Sequence, residues 1–331
     1  MGFARRLLVL FAALIAVSVP SAAIAAPHSG NATASRLVTG LQGGLGSTIG
    51  PDGALYVTET AAGRITRVDP QTGATTTYAS GLPKPVIGLG GATDIAFLGH
   101  TAYVLVTLVS PDVGGSDIDG IYRVDGRHSF TVVANIGRFA LTHPPAIPFE
   151  VPSGLQFALQ PYRGGFLVTD GHHNRVYRVT LEGTVTQLIS FGNIVPTGLA
   201  GRSGTIYMAE AGPVLYLPGD GKVVAFGPTS ATAAQVASGS PLLVDVEFGR
   251  GRTLYALSQG TGSGGPPGSP ALPDTGDLVK VNGDGAFTPV TIGLDRPTSL
   301  EFIGTTAYVV TLGGGIWKID GVSGPPYGVS R

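Results

Sequence analysis

The chain has 331 residues, of which 12% are charged, a formal net charge of −1 and no cysteine. Near-neutral charge predicts no attraction to nucleic acid or anionic lipid, and the lack of cysteine excludes a disulfide staple, a thiol nucleophile and a thiolate metal ligand. The 52 glycines and 25 prolines fit many short strands joined by tight turns.

Residues 1–25 carry Arg5 and Arg6, an apolar run from Leu7 to Val19 and the small-residue ending Ala23-Ile24-Ala25. They read as a cleaved signal peptide and predict a secreted or periplasmic protein. Ala4 before the paired arginines favours general secretion over twin-arginine export. Removing 1–25 takes away two arginines and no acid, so the charge becomes 18 − 21 = −3. No later stretch is long and apolar enough to span a bilayer. Residues 26–35 read as a linker, 36–322 as one domain and 323–331 as a C-terminal tail.

Within 36–322 one degenerate motif recurs six times. It is centred on Tyr56, Tyr103, Phe166, Tyr207, Tyr255 and Tyr308, as in Gly53-Ala-Leu-Tyr56-Val-Thr-Glu59 and Gly204-Thr-Ile-Tyr207-Met-Ala-Glu210. The spacing of about 40 to 65 residues is that of a four-stranded propeller blade with variable loops. Blade two shows the unit most clearly, with strands over 92–97, 102–107, 120–125 and 130–134. The fold class is therefore all-β, a six-bladed β-propeller of four-stranded blades. The recurring aromatic is expected to pack between neighbouring blades.

The sixth copy supplies only three strands before the chain turns Gly- and Pro-rich. Arg36-Leu-Val-Thr-Gly-Leu41 resembles the fourth strands Thr77 to Leu82 and Pro289 to Leu294. The N-terminal strand is thus expected to join the last blade and close the ring, pairing an otherwise open edge.

Val195-Pro-Thr-Gly-Leu199, Asp52-Gly-Ala-Leu-Tyr-Val-Thr-Glu59, Thr93-Asp-Ile-Ala-Phe-Leu98 and Val244-Asp-Val-Glu-Phe248 resemble the blade signatures of the ScyD/ScyE family of secreted bacterial propellers. More distantly the chain is similar to SMP-30/gluconolactonase-like and NHL-repeat propellers. The ScyD/ScyE likeness implies fold and compartment rather than an activity. The gluconolactonase likeness implies a divalent metal held by acids and an asparagine. Here Ser153 and Thr197 stand in the Val-Pro-x-Gly-hydrophobic segments where that asparagine would be.

In a four-stranded meander the starts of the innermost strands and the ends of the second strands meet at one end of the channel. That end gathers Ser47, Asp94, Ser153, Thr197, Asp245 and Ser299 with Glu59, Asp170, Glu210 and Gln259. Asp94 and Asp245, three blades apart, should face each other, either bonding to backbone amides or holding Ca2+ or another divalent cation. Asp170-Gly-His-His-Asn174-Arg175 resembles the NHL turn, and Glu59 to Arg64 follows the same plan, so turn-capping is the expected role of Glu59, Asp170 and Asn174. His172 and His173 are left as candidate acid, base or ligand groups. Asp112, Asp117 and Asp119 share a Gly-containing loop whose spacing does not follow an EF-hand. The loops 137–152 and 259–277 should border the channel mouth.

No Gly-x-Ser-x-Gly, His-Glu-x-x-His, Walker loop or dinucleotide fingerprint is present. Two classes of function fit. One is a monomeric scaffold binding a small molecule, glycan or partner protein at the channel mouth. The other is a metal-assisted hydrolase or lyase of the gluconolactonase or streptogramin-lyase type, with Asp94, Asp245, Glu210 and His172 around the ion.

Overall fold

A computed structural model of the chain describes residues 32–146, 150–214, 219–266 and 268–327. Residues 1–25, whose sequence reads as a signal peptide, lie outside the described residues. Twenty-four strands, β1 to β24 in chain order, form six four-stranded antiparallel sheets among the described residues. This is a six-bladed β-propeller. The innermost strands are β2 (Gly44–Ile49), β6 (Gly91–Leu98), β10 (Gln156–Tyr162), β14 (Pro196–Arg202), β18 (Leu243–Phe248) and β22 (Pro297–Ile303).

The ring closes through β1 (Thr33–Val38), which pairs antiparallel with β24 (Ile316–Asp320) as the outermost strand of the last blade. The pairing runs from Thr33 to Val38, three residues before the stretch 36–41 that its sequence suggested. Register is set by the partner strand, and Arg36 comes to lie opposite Trp317. Its guanidinium sits 4.7 Å from the indole centroid, a cation–π contact across the closure.

One apolar cluster fills each of the six seams between blades. The repeating aromatics sit in these seams. Tyr56 meets Phe97 at 4.9 Å between ring centroids, Tyr103 meets Phe166 at 4.9 Å, Tyr207 meets Phe248 at 5.2 Å and Tyr255 meets Phe302 at 4.9 Å. Tyr308 reaches from the last blade to the first and donates to the Pro70 carbonyl at 3.1 Å. Each ring buries a large apolar surface on the neighbouring sheet, so the blades are held face to face without disulfides.

The stretch 137–152 is not wholly a loop. Its first part belongs to the helix α1 (Ile136–Thr142), whose N-cap Asn135 accepts from the Arg138 amide. After β24 the chain folds back, and Thr253 donates to the carbonyls of Gly324 and Pro325. Tyr327 packs on Tyr207, 6.1 Å between centroids. Among the described residues no helix is long and apolar enough to cross a membrane.

Candidate functional site

In five of the six blades the residue immediately before the innermost strand has a positive φ. Glycine takes it at Gly43 and Gly90, but Val195 (φ 52), Leu242 (φ 41) and Arg296 (φ 47) take it with full side chains, while in blade three Leu155 stands there and the positive φ falls one residue earlier, at Gly154. For a β-branched valine this conformation costs on the order of 1 to 3 kcal/mol. It carries Val195 and Leu242 into the wall of a cup at the end of the channel where the inner strands begin. Leu45, Leu89, Leu155, Phe157, Val244 and Leu312 add to that wall, so every blade contributes apolar surface. Gly268, Ser269 and Pro270 of the loop 259–277 also line the cup, as that loop's expected position at the mouth requires. The cup encloses about 190 Å³.

Below the cup lies a second chamber of about 260 Å³. Asp94, Ala158, Asp245 and Ser299 line both spaces, so they form a belt between them. Asp94 accepts from its neighbour Ile95 N at 2.8 Å and, across the seam, from Leu159 N at 2.7 Å. Asp245 repeats this with Val246 N at 2.8 Å and Leu300 N at 2.7 Å. The preceding blade must approach each aspartate closely. A Cβ at Gly46 would lie 2.5 Å from the Asp94 Cα, and one at Gly198 would lie 2.5 Å from the Asp245 Cα, so only glycine fits. Blades one to three and four to six therefore repeat a single arrangement of Gly, Asp and Leu. Burial pushes both carboxyls up against the pull of these amides, Asp245 to about 7 and Asp94 well above its ordinary range, with the charge of Asp245 adding to the rise at Asp94.

The sequence placed Asp94 and Asp245 opposite each other and near the mouth, and the belt contains both. Their oxygens already accept amides, and among the described residues no three His, Asp or Glu side chains are grouped to hold a metal ion. The divalent ion of a gluconolactonase-like channel does not fit this donor set. Thr197 lines the cup, and its hydroxyl donates to the carbonyls of Ala209 and Leu243. Ser153 is buried, and its amide donates to Asp112 Oδ2 at 3.0 Å. Ser110 bridges Asp112 and Asp119 at 2.5 Å each, and Asp119 is buried, so this loop ties blade two to blade three.

Glu59 and Asp170 end the second strands of their blades, β3 (Leu55–Glu59) and β11 (Gly165–Asp170), and bond to the turns that follow; neither lines the cup or the lower chamber. Glu59 accepts from Arg64 Nε and a second guanidinium nitrogen at 2.8 Å each, from Gln42 N at 2.6 Å and from the Thr66 hydroxyl. Burial opposes ionisation here, but these donors prevail and hold the carboxyl below its ordinary value. Asp170 accepts from Tyr177 Oη at 2.7 Å, from the amides of His173 and Leu155 and from Gln156 Nε2. His173 belongs to the same network, with Nδ1 3.1 Å from Asp170 Oδ2 and 2.9 Å from an Arg175 guanidinium nitrogen, and Nε2 3.2 Å from the Val151 carbonyl. Nε2 of His172 accepts from Val151 N at 3.2 Å, and burial lowers its pKa. The paired histidines thus pin the segment around Val151 to the turn of blade three.

Glu210 occupies the position of Glu59 and Asp170 in blade four. Its cross-strand partner is Lys222, and no ion pair forms between them. Burial pushes its carboxyl up to about 7 despite the lysine charge.

Two acids escaped the reading of the sequence. Glu247 and Glu301 line the lower chamber. Side chains two apart on a strand share a face, so Asp245 in the channel already implied Glu247 beside it. Burial pushes Glu247 up to about 8, with the Phe248 amide pulling it down and Asp245 pushing it up. Glu301 is raised well above its ordinary value by burial first, then by the charges of Glu247, Asp245 and Asp94.

The chain matches no established sequence family and no curated protein. Its likeness to solved structures is one of fold. PQQ-bound aldose sugar dehydrogenase from Streptomyces coelicolor superposes with a TM-score of 0.60 at 16% identity, over 89% of this chain and 99% of that one. A gluconolactonase from Xanthomonas campestris gives 0.62 at 13% identity, over 88% and 91%. Virginiamycin B lyase from Staphylococcus aureus gives 0.51 at 14%, over 88% and 99%. The resemblance to SMP-30/gluconolactonase-like propellers thus holds at the level of the fold.

Proposed function

We propose that the protein is a binding propeller that holds a small, largely apolar molecule in the cup at the mouth of its channel. The carrying observation is that Val195 and Leu242 adopt a costly left-handed backbone at a position where two other blades use glycine, Gly43 and Gly90, and both present apolar surface to the cup. The acids that chemistry at the mouth would need are otherwise engaged. Glu59 and Asp170 cap turns, and Asp94 and Asp245 bind backbone amides across the seams. The N-terminal sequence and the ScyD/ScyE-like blade motifs support export of a monomeric binding protein, with a small molecule, glycan or partner protein at the mouth.

Titration with a neutral fluorescent arene such as N-phenyl-1-naphthylamine tests this reading. We expect saturable 1:1 binding that weakens at least tenfold in Val195→Asn. Asparagine tolerates the left-handed backbone, so relief of strain offsets part of the lost burial and the variant should stay within about 1.5 kcal/mol of the parent in stability. Undiminished binding by that folded variant would refute the cup as the site.

One observation favours a second reading, a hydrolase or lyase of the gluconolactonase type. Glu210 is buried, has no ion pair among the described residues and carries a carboxyl poised near neutrality beside Ala211 of the cup wall. Lactone or ester turnover lost in Glu210→Gln would support it, and no turnover would sink it.

A further inference from the structure

The two halves of the ring allow each channel residue to be compared with its counterpart. Superposing the Asp94 and Asp245 positions along their strands places Glu247 where the other half has Ala96. Superposing Leu159 and Leu300 likewise places Glu301 where the other half has Gln160. The same strands and the same seam contacts form in both halves, so the fold does not require either glutamate. Glu247 accepts a hydrogen bond only from the adjoining Phe248 amide, 2.7 Å away, among the described residues. Glu301 is half-buried, lines the lower chamber and has no hydrogen-bond partner among the described residues. A half-buried carboxyl that the scaffold does not need and hardly bonds leaves its charge available to whatever enters the chamber.

The surroundings define that something. Among the described lining residues of cup and chamber none is Lys, Arg or His, while four are acids: Asp94, Asp245, Glu247 and Glu301. A metal ion needs several ligands within one coordination sphere, and these acids are not so grouped. An ammonium makes longer, less directional contacts and is satisfied by carboxylates spread along a wall. Asp94, Ala158, Asp245 and Ser299 border both the chamber and the apolar cup, so the two spaces adjoin.

We propose that the channel takes an amphiphilic amine, its apolar body in the cup and its ammonium in the lower chamber against Glu247 and Glu301. This rests on the cup being the binding site and adds the charge and orientation of the ligand.

The test uses matched probes on the full mature chain, the naphthyl-alkylamines with one to four methylenes and the alcohols of the same lengths, compared by calorimetry at pH 8.5. The best amine should bind at least tenfold more tightly than its alcohol. The double variant Glu247→Ala, Glu301→Gln, which installs the residues of the other half and so preserves the packing, should erase that advantage and leave the alcohol unchanged. A thermal scan confirms that the variant is folded. Alcohols that bind as well as amines, or an amine preference that survives in the folded double variant, would overturn the proposal while leaving the cup intact. If neither series binds, the cup itself is wrong, and the proposal falls with it.

Discussion

Replacing Glu247 by glutamine should stabilise the protein, and by an amount that depends on pH. Its carboxyl is raised from an ordinary 4.5 to about 8, so between those values the folded state holds a proton that the unfolded chain has lost. Stability therefore falls as pH rises through this window, by at most about 1.4 kcal/mol per pH unit for one group. From 4.5 to pH 7 that amounts to at most about 3 kcal/mol. Water in the channel reduces it, and a gain of about 1 to 3 kcal/mol is expected, or roughly 2 to 5 °C in Tm for a domain of this size. Glutamine keeps an oxygen to accept the Phe248 amide, so the packing is retained. Thermal unfolding of Glu247→Gln and the parent at pH 4.5, 6, 7 and 8 is the assay. The two should coincide at pH 4.5 and diverge steadily above it, the variant melting higher. Equal midpoints at pH 8, or a gap as large at pH 4.5 as at 8, would refute the reasoning.

Deleting residues 33–38 removes the closing strand and exposes the edge of β24; we expect the midpoint to fall by more than 10 °C, and a truncated chain melting within about 2 °C of the parent would contradict the closure. Glu59→Ala leaves the Arg64 guanidinium and the Gln42 amide without their buried acceptor. A loss of about 3 kcal/mol at pH 7 is expected in chemical denaturation. Because the Glu59 carboxyl lies below its ordinary value when folded, that stabilisation is present above pH 4.5 and lost as pH falls. The deficit should thus shrink on acidification toward pH 3, and a constant deficit would argue for lost packing instead.

The blades were legible because a strand's own residues announce it. Tyr56, Tyr103, Phe166, Tyr207, Tyr255 and Tyr308 recur at a blade's period, and each fills or adjoins a seam. The missing fourth strand was legible for the same reason, but its register was not, since the pairing of Thr33 with Asp320 is decided by a partner far along the chain. Asp94 and Asp245 could be set opposite each other by counting blades. Glu247 and Glu301 could have been reached by the same counting, each standing two residues past a channel position, Asp245 and Ser299, but an acid on a strand ordinarily reads as a solvent-facing residue. The left-handed backbones of Val195, Leu242 and Arg296 left no trace in composition, because glycine is the residue that advertises such a conformation. The α1 helix was obscured by Gly137, a weak helix former, and its start depends on a side-chain cap from Asn135.

The pairing of β1 with β24 also imposes an order in time. Thr33 meets Asp320 across 320 − 33 = 287 residues, and at about 5 to 20 residues per second a ribosome needs roughly 15 to 60 s to make that interval. The first strand synthesised is thus the last to find its neighbour, and every growing chain carries an unmatched edge until its final blade exists. Once joined, β1 and β24 lie side by side in the last blade, so the ring of blades is closed at one place. Covalently joining them and cutting between two other blades would move that closure and show whether the wait governs how fast the chain matures.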